Sequence, residues 1–212
     1  MADVLEELKA GIRKFQREVY PDHRETYLKA VIEPQRPSTL IVTCADSRID
    51  PELITQCGPG ELFVTRNIGN MVPAYGDMLG GVSAVLEYAV SALKVRHLVV
   101  CGHTDCGAMT ALLHPELVES MPTVKRWLHN AHTALSVAEA LLEKSGDESD
   151  LQRVLTEQNV LLQMQHVRTH PSVAGAVARG DLTISGWVYD IGQGEVRICE
   201  EGKIAFELVS DH

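Results

Sequence analysis

Residues 97–107 read His97-Leu98-Val99-Val100-Cys101-Gly102-His103-Thr104-Asp105-Cys106-Gly107. The run His97–Cys101 is short, rich in branched apolar residues and shows little alternation. That is the pattern of a strand buried on both faces, as in a parallel sheet. A histidine and a cysteine follow it three residues apart. Ligands in open α/β sheets bind beyond the carboxyl ends of the strands, so this stretch indicates both a sheet and the end of it where chemistry belongs.

Working outward, Thr39–Cys44 (TLIVTC) and Leu62–Arg66 (LFVTR) have the same character. Between the second and third strands, Val82, Val85, Leu86, Ala89 and Leu93 mark a helix over Gly81–Lys94, and another begins at Gly107. Residues 122–143 read as an amphipathic helix with Pro122 in its first turn and an apolar stripe through Val124, Trp127, Leu128 and Leu135. Ser145–Asp150 is polar and reads as a loop. A helix is expected over 151–168, and a shorter one over Pro171–Arg179 is closed by Gly180. Leu182–Asp190 is a strand, and Gln193–Gly194 turns a hairpin into Val196–Cys199 and Ile204–Leu208. The order implies an α/β fold, with a mostly parallel central β-sheet flanked by helices. Residues 2–19 form a peripheral helix whose face of Val4, Leu5, Leu8, Ile12, Phe15 and Val19 needs a surface to cover, in its own domain or on a partner subunit. No repeat or long linker appears, so residues 1–212 are expected to be one domain, with 1–36 a helical arm and 37–212 the core.

The chain carries a formal net charge of −10, with 45% apolar and 23% charged residues. Such an acidic chain suits no phosphate backbone without a basic patch, and Lys125 and Arg126 are only an isolated pair; nucleic acid is not an expected partner. No apolar stretch approaches the roughly 20 residues of a membrane span. The N-terminus MADVLEELKAGIRKFQREVY lacks the cationic start and apolar run of a secretory signal. A cytoplasmic location is expected, or an organelle if a targeting segment has been removed. Five cysteines in a chain this long point to ligands, catalytic groups or small core residues rather than disulfides.

Cys44 closes the first strand and His103 and Cys106 follow the third, so the two segments meet if their strands are neighbours. A Cys₂His set suits zinc and leaves a fourth tetrahedral position open. On spacing alone an equal reading is that Cys44 and Cys106 are buried small hydrophobes and His103 a satisfied loop histidine. Asp46 lies two residues from Cys44, where it could ligate a metal or accept a hydrogen bond from metal-bound water. Arg48 could hold that carboxylate through a bidentate pair. Cys57, Cys101 and Cys199 have no partner at ligand spacing, and Trp127 and Trp187 read as packing residues.

CADSR at 44–48, RNIGN at 66–70 and GHTDCGAM at 102–109 together resemble the β-class carbonic anhydrases, in their plant-like subgroup. The resemblance covers nearly the whole chain, through KFQRE, PGELFV at 59–64, GGVSAVLEYAV at 80–90, HPSV at 170–173 and GWVYDI at 186–191. It implies a lyase that hydrates carbon dioxide reversibly to bicarbonate and a proton by attack of zinc-bound hydroxide. It implies one Zn²⁺ per subunit on Cys44, His103 and Cys106, with Asp46 and Arg48 as a catalytic dyad; Asp46 would reach the metal only in a closed form. Gln35, Phe63, Ile68 and Tyr88 match substrate-contacting positions, and the Gly107 N–H could face bicarbonate. Gln35, Phe63 and Tyr88 would reach the site of a neighbouring subunit, making at least a homodimer, with tetramers and octamers open. Arg66 and Tyr189 match a second, inhibitory bicarbonate site of the family, but Ile41 stands where that site has tryptophan. This departure favours a zinc that stays open to water. A carbon disulfide or carbonyl sulfide hydrolase and a zinc-bearing assembly protein are the competing readings.

Overall fold

The structure is a computed structural model that describes residues 3–76, 80–145 and 150–210. Six strands form one sheet in the order β2-β1-β3-β4-β5-β6. They are β1 (Thr39–Cys44), β2 (Leu62–Asn67), β3 (His97–His103), β4 (Thr183–Asp190), β5 (Glu195–Cys199) and β6 (Glu207–Leu208). The first four are mutually parallel, while β5 and β6 return antiparallel. The helices are α1 (Val4–Lys14), α2 (Tyr20–Ile32), α3 (Pro51–Thr55), α4 (Gly81–Glu87), α5 (Gly107–Leu113), α6 (Pro122–Leu128), α7 (His132–Ser145), α8 (Leu151–Thr169) and α9 (Pro171–Ala178). This is the expected α/β architecture, with a mixed sheet flanked by helices.

Side chains alternate across the strands. Leu40, Val42, Leu98, Val100, Ile184 and Val188 pack with Leu86 of α4, Val160 of α8 and Val173 of α9 in the main core. Ile41, Val99 and Cys101 form a smaller cluster with Leu62, Trp187 and Tyr189. Two glycines let α8 lie close on the sheet. A Cβ at Gly102 would stand 2.8 Å from Val160 Cγ2, and one at Gly186 would stand 2.6 Å from both Val160 Cγ1 and Met164 Sδ.

Several elements differ from the sequence reading. The N-terminal helix does not stop near residue 19: α1 widens into a turn of i→i+5 bonding over Phe15–Val19 and continues as α2. Pro21 lacks an N–H and its ring crowds the carbonyl four residues back, so the helix swells ahead of it instead of ending. The helix expected over 122–143 is broken by a tight turn at His129–Ala131. There the Asn130 amide bonds Trp127 O, and Asn130 O is taken by Gln163. β6 is two residues rather than five, because Ile204 points outward at 84% exposure. α3 was not anticipated, although Asp50 caps it and Pro51 opens it. Most of the loop expected at Ser145–Asp150 lies outside the described residues. No helix among the described residues is long and apolar enough to cross a membrane.

Candidate metal centre

β1 and β3 are adjacent, with Thr43 opposite Cys101, so Cys44 and His103 emerge side by side at the carboxyl end of the sheet. The chain leaving β3 turns through Asp105 at φ 54° and enters α5, with Cys106 as the residue just before the helix. The Cys44, His103 and Cys106 ligand atoms all lie within 4.8 Å of one another, and all three residues are buried. The two sulfurs are 4.0 Å apart. Two thiolates on one tetrahedral zinc stand about 3.8 Å apart, given bonds of about 2.3 Å.

His103 is oriented for ligation. Its Nδ1 lies 2.8 Å from Thr104 O, so Nδ1 donates and the Nε2 lone pair is directed into the cluster. Nε2 is buried and has no hydrogen-bond partner. A buried polar atom without a partner is costly unless something occupies its lone pair. Thr104 is itself tied to the end of β4, its N–H to Tyr189 O at 3.0 Å and its hydroxyl accepting from Ile191 N–H at 3.0 Å.

The two sulfurs share a hydrogen bond that moves their titrations apart. Cys44 is drawn down to about 4, first by the Cys106 thiol that donates to it, then by His103 and by the Gly69 and Asp46 backbone N–H groups. Cys106 is pushed upward by that shared hydrogen bond with Cys44 and by burial. Burial alone would lower His103, but the neighbouring Cys44 thiolate outweighs it and the net direction is upward. A buried cluster of two sulfurs, one of them readily ionised, and an open imidazole nitrogen is a donor set suited to a soft or borderline dication, and the residues fit zinc. Cys101, by contrast, is pushed up to about 12 by complete burial and sits in the apolar cluster as a thiol.

Asp46 stands beside this cluster with Oδ2 4.0 Å from His103 Nε2. Its carboxylate is engaged by Arg48: Nε to Oδ1 at 2.9 Å, Nη2 to Oδ2 at 2.8 Å, and the backbone N–H to Oδ1 at 2.9 Å. These Arg48 hydrogen bonds hold the Asp46 carboxyl well below the usual carboxylate range. Arg48 also reaches Asp105 O at 3.1 Å, joining the two ligand-bearing loops. Arg66 donates to the carbonyls of Cys44 and Asp46 and pins that loop from below. Ile41 is buried in the cluster that Tyr189 also packs against.

The remaining expected residues divide. Ile68 is 44% exposed near the centre and lines an apolar cavity of about 370 Å³ with Ala45, Asn67, Val124 and Trp127. Gly107 begins α5, exposed, directly after Cys106. Gln35, Phe63 and Tyr88 are not brought to this chain's cluster. Phe63 is opposite Leu40, four residues and so about 13 Å along the strand from Cys44. Its ring lies 6.0 Å from that of Tyr88. Gln35 is exposed and lines a cavity with Leu93 and Arg96, where β1 and β3 begin.

Sequence reasoning missed the groups that support the ligands: Thr104, Trp127, whose indole donates to Ile68 O at 2.8 Å, and the buried amides Asn159 and Gln163. The available signal was a polar stripe at spacings of 4, 3 and 4 (Gln152, Thr156, Asn159, Gln163) along the helix 151–168.

Comparison with known proteins agrees with this geometry. The profile of the carbonic anhydrase family matches residues 39–196. A carbonic anhydrase of Pseudomonas aeruginosa is 42% identical over 212 residues, spanning 100% of this chain and 93% of that protein. The solved β-carbonic anhydrase CcaA is 36% identical with a TM-score of 0.91, covering 100% of this chain and 94% of its own. A tetrameric β-carbonic anhydrase from Sordaria macrospora is 30% identical with a TM-score of 0.72, covering 94% of each chain. With its sheet, its Cys-His-Cys cluster and its sequence all pointing the same way, the chain belongs to the β-carbonic anhydrase family and is a carbonic anhydrase.

Proposed function

We propose that Cys44, His103 and Cys106 hold one zinc ion per subunit and that this centre converts carbon dioxide and water into bicarbonate and a proton, reversibly. The observation that carries the reading is the buried, unpartnered His103 Nε2, which shares a 4.8 Å cluster with two cysteine sulfurs beside an ionised Asp46. Zinc bound there would supply Lewis-acid activation of a water, lowering its pKa toward neutrality.

The chain's own residues do the rest. Arg48 occupies both carboxylate oxygens of Asp46, which keeps Asp46 ionised and held beside the ligand cluster. Asp46 is therefore an acceptor-only group, able to orient a water or hydroxide by accepting its hydrogen bond. Ile68 and the apolar wall beside Ala45 and Val124 offer an apolar substrate a dry approach. The Gly107 N–H, exposed at the start of α5 directly after Cys106, would meet a product oxygen.

Gln35, Phe63 and Tyr88 lie too far from their own cluster to serve it, so a second copy would supply them. The exposed stripe of Val4, Leu5, Leu8 and Ile12, each 56–66% exposed, is the surface such a copy would cover. A homo-oligomer of at least two subunits is thus part of the proposal, with residues 1–36 as its arm and 37–212 as its core. Its five cysteines are all free, which suits a reducing compartment, and we assign a cytoplasmic location on that basis.

Elemental analysis and stopped-flow CO2 hydration test the reading together. Wild-type protein should carry one zinc per chain and hydrate CO2, and Cys106→Ser should lose the metal. Asp46→Ala should keep zinc and hydrate CO2 at a rate reduced by about 100-fold or more, within the range for loss of a positioned acid–base group. Full zinc in Cys106→Ser would overturn the ligand set, and normal turnover in Asp46→Ala would overturn the role of the carboxylate.

A further inference from the structure

The Gly69 backbone N–H faces the Cys44 sulfur and helps to draw that thiol's titration down. Gly69 is a weak place to fix a donor. It has no side chain, and it adopts the left-handed conformation at φ 73°, followed by Asn70 at φ 49°. The left-handed turn allows glycine to fit where a Cβ would stand 2.9 Å from Ala108 Cβ. It does not by itself hold the N–H on the sulfur.

Two anchors do. Ile68 O and the Gly69 N–H belong to one rigid peptide plane. That carbonyl accepts from Trp127 Nε1 at 2.8 Å. On the other side of the Gly69 Cα, Gly69 O accepts from Asn159 Nδ2 at 3.1 Å. The amide of Asn159 has only one sensible orientation. Val72 N–H donates to Gln163 Oε1 at 2.8 Å, so Gln163 Nε2 must face the other way. It donates to Asn130 O at 3.1 Å and to Asn159 Oδ1 at 2.9 Å, which turns Asn159 Nδ2 toward Gly69. Asn159 and Gln163 are 1% and 0% exposed. Buried amides carry a desolvation cost unless fully bonded, and these direct their bonds into the 68–72 turn instead of the sheet.

We propose that Trp127 and Asn159, the latter backed by Gln163, are positioning residues that clamp the Gly69 peptide and thereby hold its N–H on the Cys44 ligand sulfur. This rests on the zinc ligand set proposed above. It assigns to an indole on α6 and an amide on α8 a role in metal binding that neither fulfils by contact with the ion. Outer-shell partners of metal ligands typically contribute about 10–100-fold to metal affinity, and the clamp acts at that level.

The test is zinc affinity by competition with a chromophoric chelator, together with the thiolate-to-metal charge-transfer bands of the cobalt-substituted protein. Trp127→Phe keeps the ring and removes only the indole donor; Asn159→Leu removes the amide. Ile184→Ala, 1% exposed in the main core near the start of β4, destabilises the fold away from the clamp and the ligands and serves as the control. We expect both clamp variants to bind zinc about tenfold or more weakly and to shift the cobalt bands, while Ile184→Ala matches wild type in both. Wild-type affinity and spectrum in Trp127→Phe would overturn the inference, even if Asn159→Leu failed to fold. So would an equal loss of affinity in Ile184→Ala. Absence of zinc from the wild-type protein would instead remove the ligand assignment, and this inference with it.

Discussion

Replacing Gly102 by alanine tests how the sheet and α8 jointly set the metal centre. The added Cβ would stand 2.8 Å from Val160 Cγ2 and 3.4 Å from Thr156 Cγ2. Ordinary carbon–carbon contact is about 3.5–4.0 Å, so the overlap with Val160 is close to 1 Å. Valine has essentially one side-chain rotamer in a helix and cannot turn its methyl away. The strand or α8 must move, at a cost of about 1–3 kcal/mol for overpacking. Val160→Ala alone deletes two buried methyls, about 0.8 kcal/mol each in transfer, and leaves a cavity that brings the loss to about 2–3 kcal/mol. In the double variant the new methyl at 102 enters the space left at 160. The combined loss should then fall short of the sum by about 2 kcal/mol. Gly186→Ala should be rescued less completely by Val160→Ala, because its Cβ also meets Met164 Sδ at 2.6 Å. Urea unfolding of all five variants, with chelator present so that metal binding does not contribute, reads these differences. Costs for the Gly102–Val160 pair that add to within about 0.5 kcal/mol would refute the close packing described here.

Three further outcomes follow from the same structure. Leu8→Glu with Ile12→Glu should reduce the oligomer seen by sedimentation velocity while leaving the far-ultraviolet circular dichroism of the core intact; an unchanged sedimentation coefficient would remove the arm from the interface. Mixing inactive Cys106→Ser subunits with impaired Tyr88→Ala subunits should restore part of the CO2 hydration rate after subunit exchange. The hybrid would contain one site with both an intact ligand set and an intact Tyr88, and no gain above the unmixed proteins would place Tyr88 outside the shared pocket. For pH, Arg48 lowers the folded-state titration of Asp46, so the unfolded chain binds the proton more readily. The pair thus stabilises the fold above the ordinary aspartate value of about 3.9, and that contribution is lost as the pH falls through the lower folded-state value. Metal-free wild type should lose more stability between pH 6 and pH 3 than Asp46→Asn; equal losses would count against the pairing.

The sequence was most informative where pattern and chemistry are local. Apolar runs of four to six residues marked the parallel strands, and Cys44, Asp46, Arg48, His103 and Cys106 were legible because strand ends are where such sheets bind ligands. α2 was hidden because Pro21 reads as a stop, and only the widened turn before it lets the helix continue. The break in the helix after Leu128 was also hidden, since it depends in part on Asn130 O serving Gln163, 33 residues along the chain and beyond any local window.

By itself, then, the sequence determined which residues could ligate a metal and on which end of the sheet they belong, since both follow from residue type and strand period. Only the tertiary structure decided that β1 and β3 are neighbours, which turns separated ligands into one 4.8 Å cluster. Only the structure also showed that Gln35, Phe63 and Tyr88 stand away from that cluster, and that the amide of Asn159, 90 residues along the chain, bonds Gly69 O. Register, strand order and buried amide orientation are set by packing between distant segments, and no periodicity along the chain encodes them.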